Sequence, residues 1–63
     1  MYTIIWTENG EDRWDRLETK GEVKALLESL ASNPNVCETD VWVFKPDADK
    51  FAMEYRKFME EEF

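Results

Sequence analysis

Asn9-Gly10 separates two stretches that read as strands, and no other feature of the chain restricts its fold as much. Tyr2 to Thr7 is β-branched and aromatic, and Asp12 to Glu18 follows it back across the turn. Asn and Gly both tolerate the positive φ that a tight hairpin turn requires. The register is the open variable. A plain two-residue loop pairs Ile5 with Trp14 and sets Trp6 and Trp14 on opposite faces. A three-residue loop, Glu8-Asn9-Gly10 with Gly10 as a left-handed bulge, pairs Ile4 with Trp14 and leaves Trp6 beside them. Side chains alternate along a strand, so a one-residue slip transfers each of them to the other face. The bulged loop gathers Tyr2, Ile4, Trp6 and Trp14 on one face, and on that ground it is the expectation.

Thr19-Lys20-Gly21-Glu22 reads as a capping box. The Thr19 hydroxyl accepts from the Glu22 amide, and the Glu22 side chain reaches back to the Thr19 amide. Behind it Val23, Leu26, Leu27 and Leu30 fall at i, i+3, i+4 and i+7, one apolar stripe of a helix. Ser32-Asn33-Pro34-Asn35 ends that helix, with Asn33 as a left-handed cap and Pro34 unable to continue it.

Asp40 to Lys45 contains Val41-Trp42-Val43-Phe44, a strand with the valines on one face and the aromatic pair on the other, ended by Pro46. The remainder, Asp47 to Phe63, predicts a helix capped by Asp47 or Asp49, with Phe51, Tyr55, Phe58, Met59 and Phe63 as its apolar residues. A rival reading makes Phe51 to Tyr55 a short strand that pairs back across Pro46-Asp47-Ala48-Asp49, with a helix only from Arg56. The Ala, Met, Glu, Lys and Arg content favours the longer helix.

The order strand, strand, helix, strand, helix predicts a two-layer α+β domain (ββαβα) spanning residues 1–63. With the first helix as a right-handed crossover, the third strand lies beside the first, giving a three-stranded sheet of order 2-1-3. The two helices then pack mainly on one face. Yet each strand carries bulky apolar groups on both sides: Ile5 against Tyr2, Ile4 and Trp6; Leu17 against Trp14; the valines against Trp42 and Phe44. Two helices on one side leave part of this set uncovered. An exposed aromatic patch marks a contact surface, and Trp, Tyr and Phe are enriched at interfaces. Trp6, Trp14, Trp42 and Phe44 are therefore the candidate partner-binding residues.

Composition narrows the chemistry. Fifteen acidic against eight basic residues give a net charge of −7, which disfavours direct nucleic-acid binding and docking on an anionic membrane. No histidine is present, so the commonest general base, the Ser-His and Cys-His pairs and most zinc or iron ligand sets are missing. Cys37 has a carboxylate neighbour, Glu38, which disfavours a thiolate. Asp47-Ala48-Asp49 opens like a calcium loop, but the later ligand positions fall on Phe51 and Phe58 and the required glycine on Ala52. A chain this small offers little room for a small-molecule cleft. The expectation is a non-enzyme without metal or cofactor.

A single cysteine cannot form an internal disulfide, no signal peptide is visible after Met1, and the longest apolar run, Val41 to Phe44, is four residues. These point to the cytoplasm. Two partner classes fit. One is a protein-protein interaction module, most simply a homodimer that packs open sheet faces or adds edge strands. The other is an acidic nucleic-acid mimic, of the kind a phage or mobile element would use to block a basic groove. Its acidic surface would come from Glu8, Glu11, Asp12, Asp15 and Glu18 on the hairpin, with Glu54, Glu60, Glu61 and Glu62 on the last helix. Arg13, Arg16, Lys20 and Lys24 interrupt that surface and favour the first class.

Overall fold

The computed structural model describes residues 1–46 and 52–63. Strands β1 (Tyr2–Glu8) and β2 (Glu11–Leu17) lead to helix α1 (Lys20–Ala31), a 3-10 turn at Glu38–Asp40, strands β3 (Trp42–Phe44) and β4 (Met53–Glu54), and helix α2 (Tyr55–Glu62). This is an α+β arrangement with two helices on an antiparallel sheet. The sheet has four strands in the order β2-β1-β3-β4, not the three expected from the sequence.

The hairpin takes the plain two-residue loop, which corrects the bulged register. Asn9 and Gly10 both adopt positive φ, 53° and 78°, so the chain reverses within two residues and Glu8 pairs directly with Glu11. No residue is left over to form a bulge. Ile5 therefore opposes Trp14, and Trp6 opposes Arg13. Like charges face each other at Glu8 and Glu11, but each carboxylate has its own counterpart. The Trp6 indole Nε1–H donates to Glu8 Oε1 at 3.2 Å, and Arg13 Nη2 lies 3.5 Å from Glu11 Oε2.

The capping box forms around one hydroxyl. Thr19 Oγ1 accepts from the Glu22 amide at 3.2 Å and donates to Glu22 Oε1 at 3.0 Å. The carboxylate thus takes the hydroxyl proton, where the sequence pattern directs it to the Thr19 amide. At the other end Asn33 is not left-handed: among the described residues only Asn9 and Gly10 have positive φ. Asn33 ends the helix by side-chain chemistry, its Oδ1 accepting from the Asn35 amide at 2.9 Å while its own N–H donates to Leu30 O at 3.1 Å.

The segment after α1 joins the free side of β1 twice. Asn9 N–H donates to Asn35 O (2.9 Å) and Cys37 N–H to Thr7 O (3.1 Å), around a bridge between Glu8 and Val36. The 3-10 turn then lifts the chain away, and β3 returns to pair Ile5 with Trp42, Ile4 with Val43 and Thr3 with Phe44.

The C-terminal helix is shorter than the sequence suggests. Met53 and Glu54 pair with Val43 and Trp42, and the Tyr55 amide donates to Val41 O at 3.1 Å before the helix begins. Sheet pairing overrides the helix propensity of these residues, because most helical stability in a protein comes from packing. The expected caps Asp47 and Asp49, the calcium-like Asp47-Ala48-Asp49 and Phe51 lie outside the described residues.

The core is one cluster between sheet and helices. Ile4, Val41 and Val43 from the sheet side meet Val23, Leu27 and Leu30 of α1 and Tyr55 and Phe58 of α2, with Val36 closing one end. Phe58 is fully buried and meets Tyr2 and Phe63 edge-on, with ring centroids 6.0 and 5.8 Å apart. The Lys24 ammonium sits 5.2 Å from the Phe63 ring centre, joining α1 to the end of α2. Arg56 reaches back from α2 to the 3-10 turn, with Nη2 3.0 Å from Glu38 Oε2. The Tyr55 hydroxyl, accepting from Arg56 Nε, and then the Glu38 carboxylate push the guanidinium above its ordinary pKa. Both partners of that ion pair are solvent-exposed, so it adds little stability.

Candidate functional site

Both helices bury the face of the sheet that carries Ile4 and Val43, and the alternation of side chains decides what stands on the other. Register places Trp14, Ile5 and Trp42 in one row across β2, β1 and β3. Thr3 and Thr7 flank Ile5 along β1, Asp12 and Arg16 flank Trp14 along β2, and Phe44 lies two residues beyond Trp42. Neither α1 nor α2 covers this row. Trp14 is 67% exposed and Ile5 36%, while Trp42 and Phe44 are half-buried.

The row forms a hollow of about 480 Å3. Ile5, Thr3 and Thr7 form its floor, Trp14 and Trp42 stand on either side, and Asp12 and Asp40 border it; the lining also takes in Trp6 and Arg13, a cross-strand pair that the register assigns to the opposite face. Asp40 belongs to the 3-10 turn, so the excursion between the two contacts with β1 also borders the hollow. The walls are aromatic, and the floor sets one isoleucine between two threonines. The acids that border it are Asp12 and Asp40.

Of the four residues chosen from sequence, Trp14, Trp42 and Phe44 come together on this open face. Trp6 goes to the opposite, helix-covered face with Tyr2 and Ile4, where it packs half-buried against the core. Its indole N–H is satisfied by Glu8. The sequence choice missed Thr3, Thr7 and Asp40 of the lining, and also Ile5 and Asp12. The plain-turn register carries both, since it is the pairing of Ile5 with Trp14 that collects them.

Among the described residues, no three His, Cys, Asp or Glu side chains converge as a metal site. Cys37 is exposed, with Sγ 3.2 Å from Thr39 Oγ1. Among the described residues no helix is long and apolar enough to cross a membrane. Compared with known protein families, characterised proteins and solved structures, the chain matches none.

Proposed function

We propose that this chain is a small non-enzymatic protein-protein interaction module, acting in the cytoplasm, that binds another protein or a second copy of itself through the open face of its sheet. The observation that carries the reading is the row Trp14-Ile5-Trp42. A large aromatic group that is two-thirds exposed, beside an exposed isoleucine, leaves apolar area in water that a partner would remove. Tryptophan is also the residue most often found at the energetic centre of interfaces. The lone, exposed Cys37 fits a compartment in which thiols stay reduced. The nucleic-acid mimic is the weaker reading, because Arg13 and Arg16 break the acidic run along β2.

Sedimentation equilibrium of the wild type and of Trp42→Ser, at low and high salt, tests this. Apolar contact is expected to survive high salt, where charge pairing is screened, and to be lost in Trp42→Ser. If the wild type is monomeric alone, the same pair serves as bait in capture from host lysate. A partner released by salt, or retained equally by Trp42→Ser, would count against the face.

A further inference from the structure

The sheet has two edges, and they differ. β4 is two residues long, but β2 runs for seven, all but Leu17 exposed. An edge of that length is a template for another strand unless its sequence prevents pairing. The two-residue turn fixes which backbone groups of β2 are used. Glu8 and Glu11 form the hydrogen-bonded pair next to the turn, so Glu11, Arg13, Asp15 and Leu17 direct their amides and carbonyls to β1. Asp12, Trp14 and Arg16 direct theirs outward. Two contacts agree with this phase. Thr7, the partner of Asp12, gives its carbonyl to Cys37 on the far side of β1 (3.1 Å), and the Arg16 amide is met by its own neighbour Asp15 Oδ1 at 2.8 Å.

The side chains add a second constraint. Asp12-Arg13-Trp14-Asp15-Arg16, read in reverse, is Arg-Asp-Trp-Arg-Asp: each charge is replaced by its opposite and Trp14 stays in place. An antiparallel neighbour of the same sequence is therefore complementary to it in one register. We infer that β2 pairs antiparallel with β2 of a second copy, about a two-fold axis at Trp14. Trp14 then opposes Trp14, Asp12 opposes Arg16 and Arg13 opposes Asp15, each residue meeting one from the other chain. The axis falls on an outward-facing residue, so the backbone phase and the charge pattern select the same register.

Neighbouring registers that keep the backbone phase do not share this match. Moving Asp12 opposite Trp14 sets Arg13 against Arg13 and Glu11 against Asp15. Moving Trp14 opposite Arg16 sets Asp15 against Asp15 and Asp12 against Glu18. Like charges directly opposite each other destabilise a strand pair. In the selected register no like charges oppose. Arg13 exchanges Glu11 for Asp15 of the second copy, and Asp15 releases the Arg16 amide to a carbonyl of the new strand. Two four-stranded sheets become one, and the row Trp42-Ile5-Trp14 continues into Trp14-Ile5-Trp42 of the second copy on the same open face. This pairing extends the proposed contact face but does not depend on it.

The experiment is a charge exchange read by sedimentation equilibrium of the full chain at about 0.15 M salt, where the repulsion between two net-negative copies is screened beyond roughly 8 Å. The wild type is expected to dimerise with increasing concentration. Asp12→Arg alone, or Arg16→Asp alone, places like charges opposite each other twice per dimer and is expected to weaken it about tenfold. Mixing those two variants sets the introduced arginine of one chain opposite the introduced aspartate of the other, and the native Arg16 opposite the native Asp12. The mixture is therefore expected to recover wild-type association. The double variant Asp12→Arg/Arg16→Asp is expected to dimerise like the wild type. Circular dichroism checks that each variant is folded. Hydrogen exchange on the wild type gives an independent reading: the amides of Asp12, Trp14 and Arg16 gain protection as concentration rises. A wild type monomeric up to about 1 mM, well above the range expected even of a small interface, would overturn the inference. So would a mixture no tighter than its components, or outward amides that exchange at one rate across the concentration range. Trp42→Ser leaves the β2 edge untouched, so a dimer kept by Trp42→Ser and weakened by Asp12→Arg is the edge pair, and one lost in Trp42→Ser is the face pair.

Discussion

Trp14 and Trp42 stand on the same face of the sheet on either side of Ile5, each in register with it and neither covered by α1 or α2. The relationship follows from the hairpin turn. With the loop closed in two residues, Ile5 takes Trp14 as its partner on β2, and the return of β3 supplies Trp42 on the other side. The same turn sends Trp6 into the helix-covered layer. One local choice at Asn9-Gly10 thus decides which tryptophan serves folding and which faces solvent.

That division predicts unequal responses to one substitution. Trp14→Ser removes an exposed side chain whose cross-strand contact with Ile5 contributes modestly, so stability should fall by less than about 1 kcal/mol. Trp6→Ser removes a half-buried ring packed on the core and leaves Glu8 without its indole donor. Its loss should be larger, about 2 kcal/mol, below the range for fully buried tryptophans. Urea unfolding of the two variants checks the difference, and equal losses would contradict the placement of the two rings.

The two glycines should respond in opposite directions to alanine. At Gly10 an added Cβ meets nothing within 4 Å, but φ is +78°, a conformation unfavourable to an L side chain by roughly 1–2 kcal/mol. Gly10→Ala should therefore destabilise the hairpin by about 1 kcal/mol, after the smaller entropy of the unfolded chain is allowed for. Gly21 lies in the first turn of α1, also with open space around it and with no positive φ. Gly21→Ala should stabilise by about 0.4–1 kcal/mol. Thermal unfolding of both variants beside the wild type reads both signs.

Helix α1 is legible in the sequence because its signals are local: Thr19 and Glu22 three apart, and Val23, Leu26, Leu27 and Leu30 on one stripe, of which Leu26 is partly buried and the other three buried. The hairpin is legible but its register is not. Gathering Tyr2, Ile4, Trp6 and Trp14 on one face is economical, yet the alternative face is completed by Trp42, which arrives from a strand distant in sequence. Register depends on the backbone angles of Asn9 and Gly10, and the pattern of apolar residues fits either loop. Met53 and Glu54 mislead for a related reason. They have good helix propensity, which favours the longer helix, but they pair with Val43 and Trp42, as the rival reading of a short strand has it for these two residues. The candidate site is half legible. Trp14, Trp42 and Phe44 follow from the strand pattern, while Ile5 and Asp12 need the register.

The cap of α1 gives a third test. One Thr19 hydroxyl holds both the Glu22 amide and the Glu22 carboxylate, so Thr19→Ala removes two contacts at once. Stability should fall by about 0.5–2 kcal/mol, and Thr19→Ser, which keeps the hydroxyl, should retain most of it. Denaturant unfolding separates the two. If alanine and serine lose equal amounts, the threonine methyl group and not the cap is responsible.

Phe58 gives the most severe test of the core. It is fully buried, it is the largest of the fully buried side chains, and it contacts Tyr2 of β1 and Phe63 beyond α2. Replacing a buried phenylalanine with alanine removes its transfer free energy and leaves a cavity, about 3–5 kcal/mol in total. A chain of 63 residues has few other groups to compensate, since domains of this size hold only about 3–5 kcal/mol in a single core. Phe58→Ala should therefore be largely unfolded at 25 °C, with loss of near-ultraviolet dichroism and of dispersed amide resonances. Phe58→Leu, which keeps most of the volume, should remain folded with a lowered midpoint. A folded Phe58→Ala with a small shift would mean that α2 contributes little to the core, and that the sheet and α1 hold the domain together without it.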